Sequence, residues 1–331
     1  MENKNMEKGK VCVTGGNGFV GSWLVMRLLQ HGYYVNTTVR SNTGLTNTHT
    51  HTPELGFLRD LPGASERLRI FEADLNHPDS FRAAIAGCIG VFLVAHQMPT
   101  DTTTTNSDET STTSTLAILL ACLDAKTVKR AIYTSSAAAA IFSGNSSTTI
   151  DEGSWSDLDL IHKSPPPVAA YATAKTLTEK AALEFGEKHG LEVVTLLPTY
   201  IHGPFIGPRC PASVYTLVSM LLGNADSYKY LAGSVDVVHV DDVASVQIFL
   251  FESGDAKGRY ICSAVGSTID ELYQLLCRRY PHYQIAPPDC SMGRPYEISS
   301  QKLLETGFKY KYGLEEMYDG AIESCKKLGL F

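Results

Sequence analysis

The sequence has no concentrated positive charge. Its formal net charge is −7 and it contains no basic block, so the electrostatic footprint of a nucleic-acid binder or of a protein docking on anionic membrane is missing. No stretch approaches the ~18 consecutive apolar residues of a membrane span. Met1 to Lys10 is polar and charged, without the apolar core of a secretory signal. None of the eight cysteines forms a CxxC pair. Scattered thiols of this kind predict reduced cysteines and a cytoplasmic setting. Metal-ligand spacing is absent too. His49 and His51 lack a third ligand nearby, and no metal is expected.

What is present is a globular composition. Hydrophobic residues make up 44% and charged residues 19% of 331 residues, enough for one large or two modest domains with a substantial core. Short apolar runs alternate with helical patterns. Lys10 to Val13, Tyr33 to Val39, Arg69 to Phe71, Gly90 to Ala95, Arg130 to Thr134 and Glu192 to Leu197 read as strands. Phe19 to Leu29, Asp79 to Ala86, Leu116 to Leu123 and Lys175 to His189 read as helices, the last closed by Gly190. This alternation predicts an α/β fold with a doubly wound parallel sheet.

After Pro198 helices dominate, which predicts a smaller, mostly helical C-terminal domain. The expected division is 8–197 for nucleotide binding, rejoined by about 235–262, with 198–234 and 263–331 binding substrate. Two threonine-rich segments, Thr43 to Thr52 and the start of Thr100 to Thr115, read as loops.

Thr14-Gly15-Gly16-Asn17-Gly18-Phe19-Val20-Gly21 lies between the first strand and the first helix. Gly15 permits a tight turn, Gly18 lets backbone approach a pyrophosphate, and Gly21 lets helix and strand pack closely. The helix N-terminus adds free N–H groups and positive partial charge. The second strand ends at Arg40, and no acidic residue occurs between Gly21 and Glu54. A carboxylate there would bind the ribose 2′-hydroxyl of NAD; a cation suits the 2′-phosphate of NADP. Asp74, after the third strand, suits either an adenine amino group or the cap of the next helix.

Tyr171 and Lys175 stand four residues apart, which puts them on one face of a helix. A phenol titrates near 10, and lowering that by about 3 requires roughly 4 kcal/mol from nearby positive charge. Thr134-Ser135-Ser136 ends a strand, where hydroxyls face the ligand crevice of such a sheet and one can hold the reacting oxygen.

Taken together, the phrases KVCVTGGNGFVGSWLV, FEADLNHPDSF, KRAIYTSSA, YATAKTLTEKAALEF, VVTLLPTYIHGPF and VVHVDDVA resemble the extended short-chain dehydrogenase/reductases, in particular the plant dihydroflavonol reductase-like group. The resemblance runs from about Lys10 to the C-terminus. PGASERL and SDLDL are similar to vestitone reductases; GVFLVAHQM and YICSAV are similar to noscapine synthase, a lactol oxidiser. The resemblance implies an NADP(H)-dependent oxidoreductase with Ser136, Tyr171 and Lys175 as catalytic residues. It implies that Gly15, Gly18, Phe19, Val20, Gly21, Arg40, Asp74, Leu75, Val94, Ala95, Thr134, Pro198 and Ser213 line the cofactor. It also makes His239-Val240-Asp241-Asp242 a structural segment at a helix start.

The substrate-pocket candidates are His96, Gln97, Ile141, Tyr200, Ile201 and His202, with His96 equally suited to loop packing. The sequence departs from its group at several points. Relatives often carry basic residues soon after the Arg40 position and a TSP- or ATP-like turn in place of Ala95-His96-Gln97-Met98-Pro99. The Asn that reads substrate in dihydroflavonol reductases is replaced by an apolar stretch, Ala137 to Ile141. VAAYATAK stands where cinnamoyl-CoA reductases have an NWYCY-like motif. The expected reaction is hydride transfer between NADP(H) and a ketone, aldehyde or alcohol on an apolar, aromatic plant specialised metabolite. Net oxidation of a lactol or alcohol, an epimerase holding NAD, and a non-catalytic NADP sensor stay as alternatives. The partner is a small molecule, with no nucleic acid or membrane, and relatives suggest a monomer.

Overall fold

The computed structural model describes residues 8–40, 55–96, 107–144, 149–224, 234–285, 287–288 and 296–331. Its centre is a seven-stranded sheet of β1 (Lys8–Val13), β2 (Tyr33–Val39), β3 (Leu68–Glu72), β4 (Gly90–Leu93), β5 (Arg130–Thr134), β7 (Glu192–Pro198) and β10 (Gly258–Cys262). The order is β10-β7-β5-β4-β1-β2-β3 and every pairing is parallel. Strand order reverses between β1 and β4, and the crevice outside such a switch point is where open α/β sheets bind ligands.

Successive side chains of a strand face opposite sides of the sheet, and both sides here are apolar. Phe92, Ile132, Val194 and Leu196 join one core with Leu24, Leu28 and Val246. Val91, Leu93, Ala131 and Val193 join another with Ile85, Ile118 and Cys122. This explains why these strands read as continuous apolar runs rather than alternating ones.

The helix Phe19–Gln30 ends as its glycine predicts, with Gly32 at φ +84°. The long helix runs Pro166–His189 and closes on Gly190 at φ +70°. It begins nine residues before the Lys175 start read from the sequence. Its first position is a proline, whose missing N–H costs nothing there and whose φ suits a helix. Tyr171 therefore sits within the second turn, on backbone already fixed. Another helix starts at Ser107, inside the threonine-rich segment expected to open as a loop.

Smaller strands complete the chain: β6 (Thr149–Ile150), β8 (Tyr200–His202), β9 (Ser234–His239), β11 (Val265–Thr268) and β12 (Glu297–Ile298). β8, β9 and β11 form a separate three-stranded sheet, and β6 pairs with β12. β10 joins the main sheet, whereas β9 stays out of it. The helix Val240–Glu252 after β9 returns to the sheet side. There Trp23 Nε1 donates to Asp241 at 2.8 Å. A third core, including Leu217, Val237, Leu272, Leu276, Met317 and Tyr318, lies among the later helices. Among the described residues, no helix is long and apolar enough to cross a membrane.

Candidate active site

The glycine turn and the end of β4 are tied together. Thr14 Oγ1 accepts from the backbone N–H of Val94 at 2.9 Å and of Ala95 at 3.0 Å. Gly15 has φ +74°, and a Cβ on it would lie 3.0 Å from the Ala95 backbone. A Cβ on Gly21 would lie 2.2 Å from the carbonyl oxygen of Gly15, inside any real contact distance. Two of the three glycines are thus required by close approach of backbone to backbone. The third, Gly18, is the exposed N-cap of Phe19–Gln30, with no side chain capping the helix and no acid in its first turn. The N–H groups of this helix end, beside half-exposed Phe19 and Val20, are the donors a phosphate needs. A cradle that only glycine fills, open at an uncapped helix end, fits a dinucleotide pyrophosphate.

Arg40 is exposed directly past the end of β2. Asp74 does not cap the following helix, one of its two expected roles. The cap position belongs to His77, and the Asp74 carboxylate instead accepts from the Asn76 backbone at 3.0 Å. An aspartate two residues before an N–H favours this local turn over a more distant cap. Leu75 is buried and its carbonyl accepts from Ser114.

At the end of β5 two adjacent serines have different fates. Ser135 is buried and donates to Glu179 Oε2 at 2.7 Å. Ser136 is half-buried, caps the short 3₁₀ turn Ala137–Ala139 by accepting from Ala138, and has its hydroxyl on the Tyr171 side. Of the two serines, Ser136 is therefore the one placed to share a ligand oxygen with Tyr171. Burial raises the Tyr171 phenol above its usual range, and the neighbouring Ser136 hydroxyl pulls it part of the way back.

Lys175 is 5% exposed and donates to the Thr134 carbonyl at 2.9 Å. Its Nζ stands 5.9 Å from the centre of the Tyr171 ring. Burial pushes the ammonium down to about 8, against the pull of Glu179. His96 stands against Tyr171, its ring meeting the phenol ring edge-on at 5.5 Å. His96 Nε2 is buried without a partner. Burial first, and the Lys175 charge second, push this imidazole down to about 2, so it is neutral at ordinary pH.

Other sequence-predicted residues spread around this centre. Tyr200 is 38% exposed overall, but its hydroxyl end is buried and near Tyr171, and burial first and Tyr171 second raise it. Ile201 is half-buried, and its carbonyl accepts from Ser213 at 2.7 Å. Pro198 is buried at the end of β7. Ile141 packs on a small core of Ala139, Ala140, Ile150, Leu197 and Ile261. His202 departs from its expected pocket role: it is fully buried with its ring 4.5 Å from that of Tyr318. Its alternation with Ile201 along β8 turns it toward the core. Gln97 lies outside the described residues.

The His239–Asp242 segment is structural. His239 Nδ1 caps the helix Val240–Glu252 by accepting from Asp241, and Asp242 accepts from the backbone of Lys311 and Tyr312. Sequence reasoning passed over Glu179 and Arg259. Glu179 is fully buried and bonded to Arg259 Nε at 2.9 Å. A readable signal existed, since Tyr171, Lys175 and Glu179 recur every four residues on one helix face.

The model of the NAD dependent epimerase/dehydratase family matches residues 11–263. The chain belongs to that family. Vestitone reductase of Medicago sativa is 44% identical over 330 residues, covering 97% of this chain and 98% of that protein. Noscapine synthase of Papaver somniferum is 43% identical over 339 residues, covering 98% and 95%. The crystal structure of vestitone reductase from alfalfa superposes with a TM-score of 0.85 at 42% identity, covering 98% of this chain and 100% of that one. The yeast methylglyoxal/isovaleraldehyde reductase complexed with NADPH shares the fold, with a TM-score of 0.79 at 21% identity, covering 97% and 100%. Family membership of this kind, with relatives that are reductases over the whole chain, makes the protein an oxidoreductase of the extended short-chain dehydrogenase/reductase type.

Proposed function

We propose that the chain is an NADP(H)-dependent oxidoreductase acting on a ketone or alcohol carbon of an apolar, aromatic plant specialised metabolite. The observation that carries this reading is the meeting of Ser136, Tyr171 and Lys175 at the crevice that also holds the glycine turn. The bound dinucleotide would supply or accept the hydride, held by Gly15, Gly18, Phe19, Val20 and Gly21 at its phosphates. Asp74 and Leu75 would border adenine, and Val94, Ala95, Thr134, Pro198 and Ser213 the middle and nicotinamide end. Arg40 supports NADP, because a cation directly past the end of β2 suits a ribose 2′-phosphate.

Ser136 orients the substrate oxygen toward Tyr171. In reduction the Tyr171 phenol donates its proton to that oxygen, and in oxidation its phenolate takes the proton back. Lys175 stabilises the phenolate electrostatically and also reaches the nicotinamide ribose. His96, neutral and with an unpartnered Nε2, offers the substrate one hydrogen bond. Tyr200, Ile201 and Ile141 supply apolar surface.

In this reading 8–197 with about 235–262 binds the dinucleotide, and 198–234 with 263–331 binds substrate. The protein would act as a cytoplasmic monomer, in keeping with its net charge of −7. Net oxidation of a lactol or alcohol is the second reading, supported by the likeness to noscapine synthase.

The test is a set of initial rates with NADPH or NADH plus aromatic ketones and aldehydes, and with NADP⁺ or NAD⁺ plus the matching alcohols and lactols. Turnover in one direction with preference for the phosphorylated cofactor is expected. Arg40→Glu should reduce that preference by at least about tenfold. Tyr171→Phe should abolish turnover while leaving NADPH affinity nearly unchanged. Normal turnover by Tyr171→Phe would sink the mechanism.

A further inference from the structure

One carboxylate joins the elements that carry the reacting side chains. Glu179 is fully buried on the helix Pro166–His189, one turn beyond Lys175. Its Oε2 accepts from Ser135 at 2.7 Å. Its Oε1 accepts from Thr195 of β7 at 2.7 Å and from Arg259 of β10 at 2.9 Å. Lys175, on the same helix face, donates to the carbonyl of Thr134. The Thr134–Ser136 corner is therefore pinned to the helix at two points a turn apart, by Lys175 on one residue and by Glu179 on the next.

Arg259 makes the anchor firm. Its guanidinium also donates to the carbonyls of Glu152, Ser154 and Ala139. Its Cζ lies 3.6 Å from the centre of the Trp155 ring. Ala139 belongs to the turn that Ser136 caps, so Arg259 grips the far side of the same corner. A buried carboxylate with three donors and a paired cation is a rigid, fully satisfied network.

We infer that Glu179 is the positioning residue of this active site: it sets Ser136 against Tyr171 and balances the charge of Lys175. The inference rests on the reading of Tyr171 and Lys175 as the catalytic pair. Lys175 faces Tyr171 and Glu179 on its own helix, Tyr133 and Thr134 on β5, and His96 after β4. Of these groups only Glu179 is an anion. It is also the partner that raises the Lys175 ammonium against burial.

The experiment uses the full chain with Glu179→Gln, Ser135→Ala and Tyr171→Phe. Three quantities are read: steady-state rates with the panel compound the parent protein reduces fastest, NADPH affinity, and an NMR titration of isotopically labelled lysine ammonium groups. Lys175→Arg identifies the resonance. Glu179→Gln should lower kcat by about ten- to a hundredfold, the range expected for a small misplacement of reacting groups. NADPH affinity should stay within about threefold. Lys175 should titrate at a pH lower by about one.

A purely structural Glu179 would lower thermal stability but leave the Lys175 titration and the kcat of folded protein unchanged, and that result overturns the inference. Should Glu179→Gln fail to fold, Ser135→Ala decides: it removes one bond and no charge. It should lower kcat several-fold without moving the Lys175 titration, and parental kcat would overturn the positioning role. Tyr171→Phe separates the two levels. Activity in that variant defeats the catalytic reading itself, whereas an inert Tyr171→Phe beside an unaffected Glu179→Gln defeats only this inference.

Discussion

The Ser135 hydroxyl lies 2.7 Å from the buried Glu179 carboxylate and donates to it, which removes Ser135 from the set of groups a substrate can meet. Ser136, the next residue, keeps its hydroxyl on the Tyr171 side. Replacing each serine by alanine should therefore give two different proteins. Ser136→Ala should lose about 10²–10³ in kcat with little loss of stability, as when an oxyanion-holding donor is removed. Ser135→Ala should lower kcat only several-fold. It should lose about 1–3 kcal/mol of stability, because a buried carboxylate loses a donor. Steady-state kinetics beside denaturant unfolding checks both, and equal kinetic losses would contradict the division.

The Gly15–Gly21 contact gives a backbone test. A methyl group on Gly21 would sit 2.2 Å from the Gly15 carbonyl oxygen, so Gly21→Ala must push the first helix off the turn. Dinucleotide affinity should fall by more than about tenfold. Gly254 has nothing within 4 Å of a built Cβ, and Gly254→Ala should change neither affinity nor stability by more than about 0.5 kcal/mol. Fluorescence titration with NADPH distinguishes the two.

Lys175 sets a pH limit. Its ammonium titrates near about 8, lowered by burial and partly restored by Glu179. The charge is present below that pH and lost above it. Carbonyl reduction should therefore decline through about pH 8 and fall roughly tenfold per pH unit beyond. Tyr171, raised by burial, keeps its proton through this range and does not cause the decline. A reductive pH–rate profile that stays flat well above 8 would remove Lys175 from the role given to it.

Three buried imidazoles predict acid sensitivity. Burial pushes His96, His202 and His239 down to about 2, about 3 and about 4. Their unfolded values lie near 6.5. Between the folded and unfolded values the unfolded chain binds more protons, so stability falls as pH drops below about 6.5. Each such histidine adds a slope of about 1.4 kcal/mol per pH unit. His202, with neither ring nitrogen hydrogen-bonded and a tyrosine against its face, is the place to test this. His202→Phe should flatten the acid limb of a melting-temperature profile, and an unchanged limb would count against the cause.

The sheet, the glycine turn and the Tyr171–Lys175 spacing were legible because each depends on local rules: apolar runs, backbone close approach, and the period of a helix. The long-range partners were not. Nothing near Ser135 in the chain shows that its hydroxyl meets a residue 44 positions away, and nothing near Glu179 announces Arg259, 80 positions on. His202 stood among the pocket candidates beside Tyr200 and Ile201. Only the packing of Tyr318 against it shows that its ring turns inward. Asp74 was open between an adenine amino group and a helix cap, and a local turn to the Asn76 N–H, which neither reading included, takes its carboxylate. Helix starts were the least legible: the pattern was read from Lys175, whereas the helix begins at Pro166, a residue that suits a first position.

The edge strand β10 pairs with β7 although it comes some sixty residues later in the chain. During synthesis the sheet therefore waits with one strand missing. Until Gly258–Cys262 emerges, β7 presents an open row of backbone donors and acceptors, and the Glu179 carboxylate lacks Arg259. An open strand edge is a template for pairing with other chains, which favours aggregation in that interval. A fragment cut after the glycine turn, Tyr171 and the sixth parallel strand would keep that exposure permanently. Docking of one late strand is thus the event that both completes the seven-stranded sheet and brings Arg259 to the Glu179 carboxylate.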